Sequence, residues 1–157
     1  IYFGGLYTEA GLILKQMREL GMKDPFAFIS GDGAKTPSIF DVAGDAADGA
    51  YLSIVGVPVE ELPSAAAFVE SYKKRWTGAG EDLKPFAHFG SAAAQVIFAA
   101  MERAGGPDRV KVIEELRKTD YKGVLGTTTF DAKGDTLNKI VTMTRARAKD
   151  RAFPSVK

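Results

Sequence analysis

The sequence predicts an α/β protein built on a mainly parallel sheet, and two observations carry that expectation. Short apolar runs end in glycine turns and lead into helical stretches: Ile1-Tyr2-Phe3 stops at Gly4-Gly5, and Phe26-Ala27-Phe28-Ile29-Ser30 stops at Gly31-Asp32-Gly33. A third run, Tyr51-Leu52-Ser53-Ile54-Val55, also has glycine close on both sides. Strand, turn and helix in alternation form βα units, whose parallel strands bind ligands just beyond their carboxyl ends. The two glycine turns therefore read as the rim of a small-molecule site.

Taken in order, Thr8 is expected to cap the first helix through its hydroxyl. Ala10, Leu14 and Met17, with Ile13 and Leu20, recur at three- and four-residue spacing and define one apolar face, and Gly21 ends the helix. Asp24-Pro25 breaks the chain before the strand beginning at Phe26. Pro37 starts a short helix with Ile39, Phe40, Val42 and Ala43 on its apolar side, and residues 44–49 form a connecting turn. After the third strand, Pro58 and Pro63 bracket a loop, and Ser64 is expected to cap a helix running to Trp76.

Thr77 to Pro85 reads as a polar crossover. A helix then runs to about Ala104, and its alanines at 92, 93, 94, 99 and 100 predict close packing against a sheet. Gly105-Gly106-Pro107 ends it, and Asp108 caps a helix reaching Lys118. Thereafter the period becomes two. Val124 to Phe130 and Ile140 to Ala146 are expected to be strands joined by residues 131–135, with a hairpin turn at Lys149-Asp150-Arg151.

The bulk properties restrict function. The 157 residues suffice for one core, and 21 basic against 20 acidic residues leave a formal charge of +1, with no imbalance that would favour nucleic acid or an anionic membrane. Cysteine is absent, which excludes disulfides, thiolate metal sites and cysteine nucleophiles. His88 is the only histidine, so no histidine cluster holds a metal, and any Ser-His-Asp triad must use it. No cofactor is implied. The chain opens inside an apparent strand, which suggests a piece of a longer parent.

The motifs narrow the chemistry. Gly31-Asp32-Gly33-Ala34-Lys35-Thr36 lacks the spacing of a phosphate loop and is too short for a dinucleotide fingerprint. Its plain reading is a strand-to-helix turn needing positive φ. Asp32, between two glycines at a strand end, is a candidate partner for a charged amino group, or else it caps the following turn. Tyr7 offers a ring or hydroxyl, or packs over the helix start. Ser91 near His88 has no Gly-x-Ser-x-Gly surroundings. Arg145, Arg147, Lys149 and Arg151 read as a charged sheet edge facing solvent.

Several of these stretches together resemble one family. Tyr2-Phe3-Gly4-Gly5-Leu6-Tyr7-Thr8-Glu9-Ala10-Gly11, Ala43-Gly44-Asp45-Ala46-Ala47-Asp48-Gly49, and Val124-Leu125-Gly126 with Phe130-Asp131-Ala132-Lys133-Gly134-Asp135 are similar to motifs of the branched-chain amino acid binding proteins of ABC importers. These are periplasmic type I solute-binding proteins with two α/β lobes around a cleft. The resemblance implies a three-layer lobe over 1–85, helices over 86–123 that pack on the other lobe, and hinge strands with a hairpin over 124–157. It implies a chain equivalent to the C-terminal half, without catalytic residues.

By the same resemblance, Asp32 receives a ligand α-amino group and Phe86 packs on the ligand side chain. Leu6 stands where the family has tyrosine, with Tyr7 beside it, and Ser91-Ala92-Ala93 replaces another tyrosine motif. Both changes remove rings and imply a larger pocket, suited to an amino acid or a bulkier aromatic acid. The expected partners are that solute and an ABC permease, with no nucleic acid, in the periplasm or anchored outside the membrane. The helices left without a partner lobe are expected to self-associate or swap. Two alternatives remain at this point: a ligand-sensing domain of the same fold, and a small α/β hydrolase using Ser91 and His88.

Overall fold

The first glycine turn does what the sequence asked of it: it reverses the chain from strand β1 (Tyr2–Phe3) into helix α1 (Tyr7–Glu19). The computed structural model describes residues 1–22, 27–76 and 83–156. The expected Asp24-Pro25 break, the Phe26 end of the second strand and most of the 77–85 crossover lie outside the described residues. Two compact units are present, one formed by Ile1–Val57 with Ile140–Lys157 and the other by Pro58–Lys139.

The first unit holds a four-stranded sheet. Strands β1, β2 (Ile29–Ser30) and β3 (Tyr51–Val55) run parallel in that order, and a late strand, Val141–Arg145, pairs antiparallel with β3. Leu52 and Ile54 of β3 point to one side and are fully buried. There Leu52 meets α1, through Ala10, Leu14 and Met17, and the short helix α2 (Ile39–Ala43). The three- and four-residue spacing thus identifies the buried face of α1, although Leu20 lies outside it, 78% exposed. Gly21 (φ 74°) ends the helix as expected.

Two local expectations are corrected, for Thr8 and for the basic edge. Helix α1 begins at Tyr7, so Thr8 lies inside it and the N-cap is Leu6, without a side-chain cap. At Gly11 a Cβ would lie 2.7 Å from the Val42 Cβ, so the lack of a side chain there lets α1 and α2 touch. The basic edge is only partly solvated. Arg151 reaches Asp41 at 2.7 Å and the Pro37 carbonyl at 3.0 Å, Arg147 pairs with Asp150 at 2.7 Å, and Arg145 lies over the Tyr51 ring. The turn at 149–151 is present, with Arg151 in the left-handed region.

In the second unit, helices α3 (Ala66–Trp76), α4 (Ala87–Ala104) and α5 (Arg109–Arg117) accompany a hairpin of β4 (Asp120–Gly123) and β5 (Gly126–Thr129). Ser64 does not cap α3; its hydroxyl donates to the Val124 carbonyl at 2.8 Å and ties the hairpin tip to the Val59–Ala65 cluster. Asp108 caps α5 as expected, accepting from the Lys111 N–H at 3.0 Å. Helix α4 packs chiefly against another helix, α5, rather than against a sheet. The expected strand 124–130 is also divided. Val124 and Leu125 form the turn of β4–β5, and the late strand, β6 (Val141–Arg145), pairs with β3 instead. The polar sequence Asp120-Tyr121-Lys122-Gly123 hid β4 from a periodicity reading.

Asp131 stabilises the next turn by accepting from the N–H groups of Lys133 (2.9 Å) and Asp135 (3.0 Å). The Asp135 backbone bond, followed by that of Lys133, holds its carboxyl below the ordinary aspartate value. A depressed folded-state pKa gives stabilisation that is present above the unfolded value and lost as pH falls through the folded one. Amide protection at Lys133 and Asp135, taken relative to the intrinsic exchange rate, should therefore fall only once pH drops below the ordinary carboxylate range, and Asp131→Asn should remove that change. Gly11→Val should destabilise the protein by about 2 kcal/mol in urea unfolding, with partial recovery on adding Val42→Ala.

Candidate functional site

Parallel pairing of β1 with β2 brings the two glycine turns together at the carboxyl edge of the sheet. The registers Tyr2 with Ile29 and Phe3 with Ser30 set this alignment. The buried Ser30 hydroxyl donates to the Phe3 carbonyl at 2.8 Å, closing the strand ends against each other. Beyond them, a Cβ on Gly33 would lie 2.9 Å from the Gly5 carbonyl oxygen and 3.2 Å from Leu6 Cδ2. The turns thus meet backbone to backbone. Gly31 has φ −78°, and Gly33 is not among the positive-φ residues, so the expectation that this turn needs positive φ is corrected. Close approach is what requires glycine at position 33.

Asp32 opens a single 3₁₀ turn, Asp32–Ala34, whose N-cap is Gly31. The cap is therefore not Asp32, and its carboxylate forms no ion pair or side-chain hydrogen bond among the described residues. It is half-buried, next to Gly31, where a Cβ would meet nothing within 4 Å. A carboxylate with open acceptor sites at a strand's end can receive an ammonium group, and partial burial strengthens that contact. Leu6 is 63% exposed next to it, presenting an apolar surface. Tyr7 is half-buried and packs against the core, so its ring is largely structural.

Phe86 belongs to the second unit. It is the N-cap residue of α4, its side chain is exposed, and its ring centroid lies 6.3 Å from that of Phe89. His88 follows on the buried side of the same helix, completely inaccessible to solvent, with its ring 4.2 Å from Phe89. An imidazole closed off from solvent cannot serve a solvent-borne substrate as a general base, which removes the support for a Ser91–His88 hydrolase. Among the described residues no cluster of acidic or histidine side chains suits a metal ion, and no helix is long and apolar enough to cross a membrane.

A groove of about 640 Å³ lies elsewhere on the first unit, lined by Arg18, Asp45, Asp48, Arg147 and Lys149 among others. Arg18 ends α1 and Asp48 precedes β3, so this groove sits at the amino edge of the parallel strands, opposite the Asp32 rim. It is charged of both signs, with Ala46 and Ala148 between the charged side chains. The sequence reading missed two supports of the rim, Ser30 and the Gly33–Gly5 contact. A small polar residue at a strand's last position, followed by Gly-x-Gly, was the available signal.

Comparison with known proteins follows the same line. The periplasmic binding protein family model matches residues 1–151. The chain is 36% identical over 136 residues to the Leu/Ile/Val-binding protein homolog 2 of Brucella abortus, covering 86% of this chain and 35% of that protein. It is 32% identical over 139 residues to the leucine-, isoleucine-, valine-, threonine- and alanine-binding protein of Pseudomonas aeruginosa, covering 88% and 35%. The solved leucine-binding protein LivK of Thermotoga maritima superposes with a TM-score of 0.84 at 31% identity, over 100% of this chain and 43% of that one. LivJ of Streptococcus pneumoniae, solved with isoleucine, gives 0.80 at 26% identity, over 100% and 44%. The expected α/β fold of the type I binding proteins is thereby borne out, and the chain spans about a third of the length of these curated relatives (35%).

The Gly33 contact yields a direct test. Gly33→Ala should push the two turns apart and destabilise the first unit by about 1–2 kcal/mol in urea unfolding. Gly31→Ala, which meets open space at φ −78°, should change stability by less than about 0.5 kcal/mol.

Proposed function

The chain belongs to the periplasmic binding protein family, and from that premise we propose that it forms part of the solute-binding component of an ABC importer. Its role is to hold an amino acid or a related aromatic carboxylate, without catalysis, for delivery to a membrane permease from the periplasmic side. The single observation that carries this reading is the open Asp32 carboxylate at the carboxyl edge of the sheet, supported by the Gly33–Gly5 contact and flanked by exposed Leu6.

Each element has a chemical task in this reading. Asp32 pairs with the α-ammonium group through charge-assisted hydrogen bonds. Leu6 contacts the apolar side chain, with Tyr7 behind it. The relatives whose names record leucine, isoleucine and valine binding support an amino acid as solute. Leucine at position 6 leaves more room than a tyrosine, which favours a bulkier side chain than leucine's. The whole transport protein is longer in this reading, and the chain supplies one wall of a cleft that closes by hinge motion.

Ligand-observed calorimetry and backbone NMR with leucine, phenylalanine and benzoate test the proposal. Because one wall gives few contacts, the expected binding is weak, at about millimolar affinity. Shift changes should concentrate at Leu6–Tyr7 and Gly31–Gly33, be larger for phenylalanine than for leucine, and vanish both with N-acetylphenylalanine and in Asp32→Ala. Sub-micromolar binding by this chain, or equal responses to the free and N-acetylated amino acid, would sink it.

A further inference from the structure

Asp32 opens a segment that its own backbone holds only loosely. From Gly31 to Asp41 the chain runs through short turns: the Ala34 N–H donates to the Gly31 carbonyl at 3.3 Å, Lys35 to Asp32 at 3.0 Å, Ile39 to Thr36 at 3.0 Å and Phe40 to Pro37 at 3.1 Å. Bonds of this short span are weaker than those of a long helix, and the five residues of α2 do not sustain a helix alone. The C-terminal hairpin meets this segment from the far end of the chain. Arg147 and Ala152 exchange backbone hydrogen bonds at 2.9 and 3.1 Å. Arg151 between them has φ 54°, the only non-glycine residue in the left-handed region among the described residues. From that turn its guanidinium reaches the Asp41 carboxylate at 2.7 Å, the Pro37 carbonyl at 3.0 Å and the Phe40 ring, 5.8 Å from the centroid. The Phe153 ring centroid lies 5.2 Å from that of buried Phe40 and 5.3 Å from the Lys35 ammonium nitrogen. Contacts thus alternate between the two segments: Lys35, Phe153, Phe40, Arg151, Asp41.

We infer that Arg151 and Phe153 are positioning residues for Asp32: they hold its turn in the conformation that receives an ammonium-bearing solute, without contacting that solute. The inference rests on the proposed role of Asp32 as the ammonium partner. At the near end of the segment, Phe153 packs on Lys35, whose N–H closes the Asp32 turn by donating to the Asp32 carbonyl. At the far end, Arg151 holds Pro37, Phe40 and Asp41 together through one guanidinium, which meets a carbonyl, a ring and a carboxylate at once. The Asp32 side chain takes no part in this clamp. Its carboxylate forms no hydrogen bond or ion pair among the described residues, so its orientation depends on the backbone that carries it. A turn that is competent for only part of the time binds its solute more weakly in proportion to that fraction. The hairpin therefore acts on affinity through the population of the Asp32 turn.

Phenylalanine titrations followed by backbone NMR at Gly31–Gly33, in the wild-type chain and in variants, test the assignment. Arg151→Gly removes the guanidinium while suiting the left-handed turn, and Phe153→Leu removes the ring while keeping an apolar side chain. Each should weaken phenylalanine binding about tenfold, the loss expected when the competent turn falls to about one tenth of the population. Without solute, amide protection at Ala34 and Lys35 should fall in the same variants, while protection across the β3–β6 pairing stays as it was. Phe153→Tyr keeps the ring, and Asp150→Ala breaks only the Arg147 pair of the same hairpin, so both should bind as the wild type does. Far-UV circular dichroism and the β3–β6 protection show whether each variant is folded; if Phe153→Leu is not, Arg151→Gly decides. Unchanged phenylalanine binding or unchanged Ala34 protection in the folded variants overturns the inference and leaves the role of Asp32 standing. So does an equal loss of binding in Asp150→Ala. A wild-type chain that does not respond to phenylalanine removes the solute reading itself, and the positioning role falls with it.

Discussion

The Gly33 backbone lies so near the Gly5 carbonyl oxygen that no side chain fits between them, and the carboxyl edge of the sheet is organised by that contact. Two parallel strands of only two residues each offer little pairing energy of their own. Ser30 supplements it by donating to the Phe3 carbonyl from a buried position, where an unmet acceptor would be costly. With the strand ends fixed, α1 leaves directly from one turn and the Asp32 turn from the other. The acidic and apolar parts of the candidate site are then neighbours by construction rather than by loop flexibility.

The same sheet shows how a buried strand organises elements distant in sequence. Leu52 and Ile54 are fully covered, and the hydroxyls of Thr144 and Thr142 each donate at 2.7 Å to carbonyls of the β3 segment, Leu52 and Gly56. Segment 140–157 therefore returns to the first unit. Arg151 secures that return on the opposite side by reaching Asp41 and the Pro37 carbonyl. What reads in sequence as a row of solvated charges is a set of side chains with different partners, because a guanidinium can satisfy a carboxylate, a carbonyl and an aromatic face from one position.

Hydrophobic periodicity found most of the elements, and its failures share a cause. Tyr51–Val55 was legible because every side chain is large and apolar or β-branched apart from Ser53. Asp120–Gly123 was not, since it gains stability from pairing with β5 and from the buried hairpin tip rather than from its own apolar face. Thr8 and Ser64 were assigned caps from residue type alone. The chain geometry instead puts Thr8 inside the helix and turns the Ser64 hydroxyl towards Val124. A hydroxyl's choice among acceptors depends on which one the fold brings within 3 Å.

By itself the sequence determined the α/β alternation, the buried faces of α1 and α2, the glycine ends of the strands and the candidacy of Asp32. These follow from local rules: the period of apolar residues, the conformations open to glycine and proline, and the chemistry of one carboxylate. Only the tertiary structure decided that glycine is needed at 33 for contact rather than for positive φ, that β6 joins β3, that Tyr7 serves the core, and that His88 is sealed from solvent. Each of those depends on a partner many residues away, and a pattern read along the chain contains the residue but not the neighbour that gives it its role.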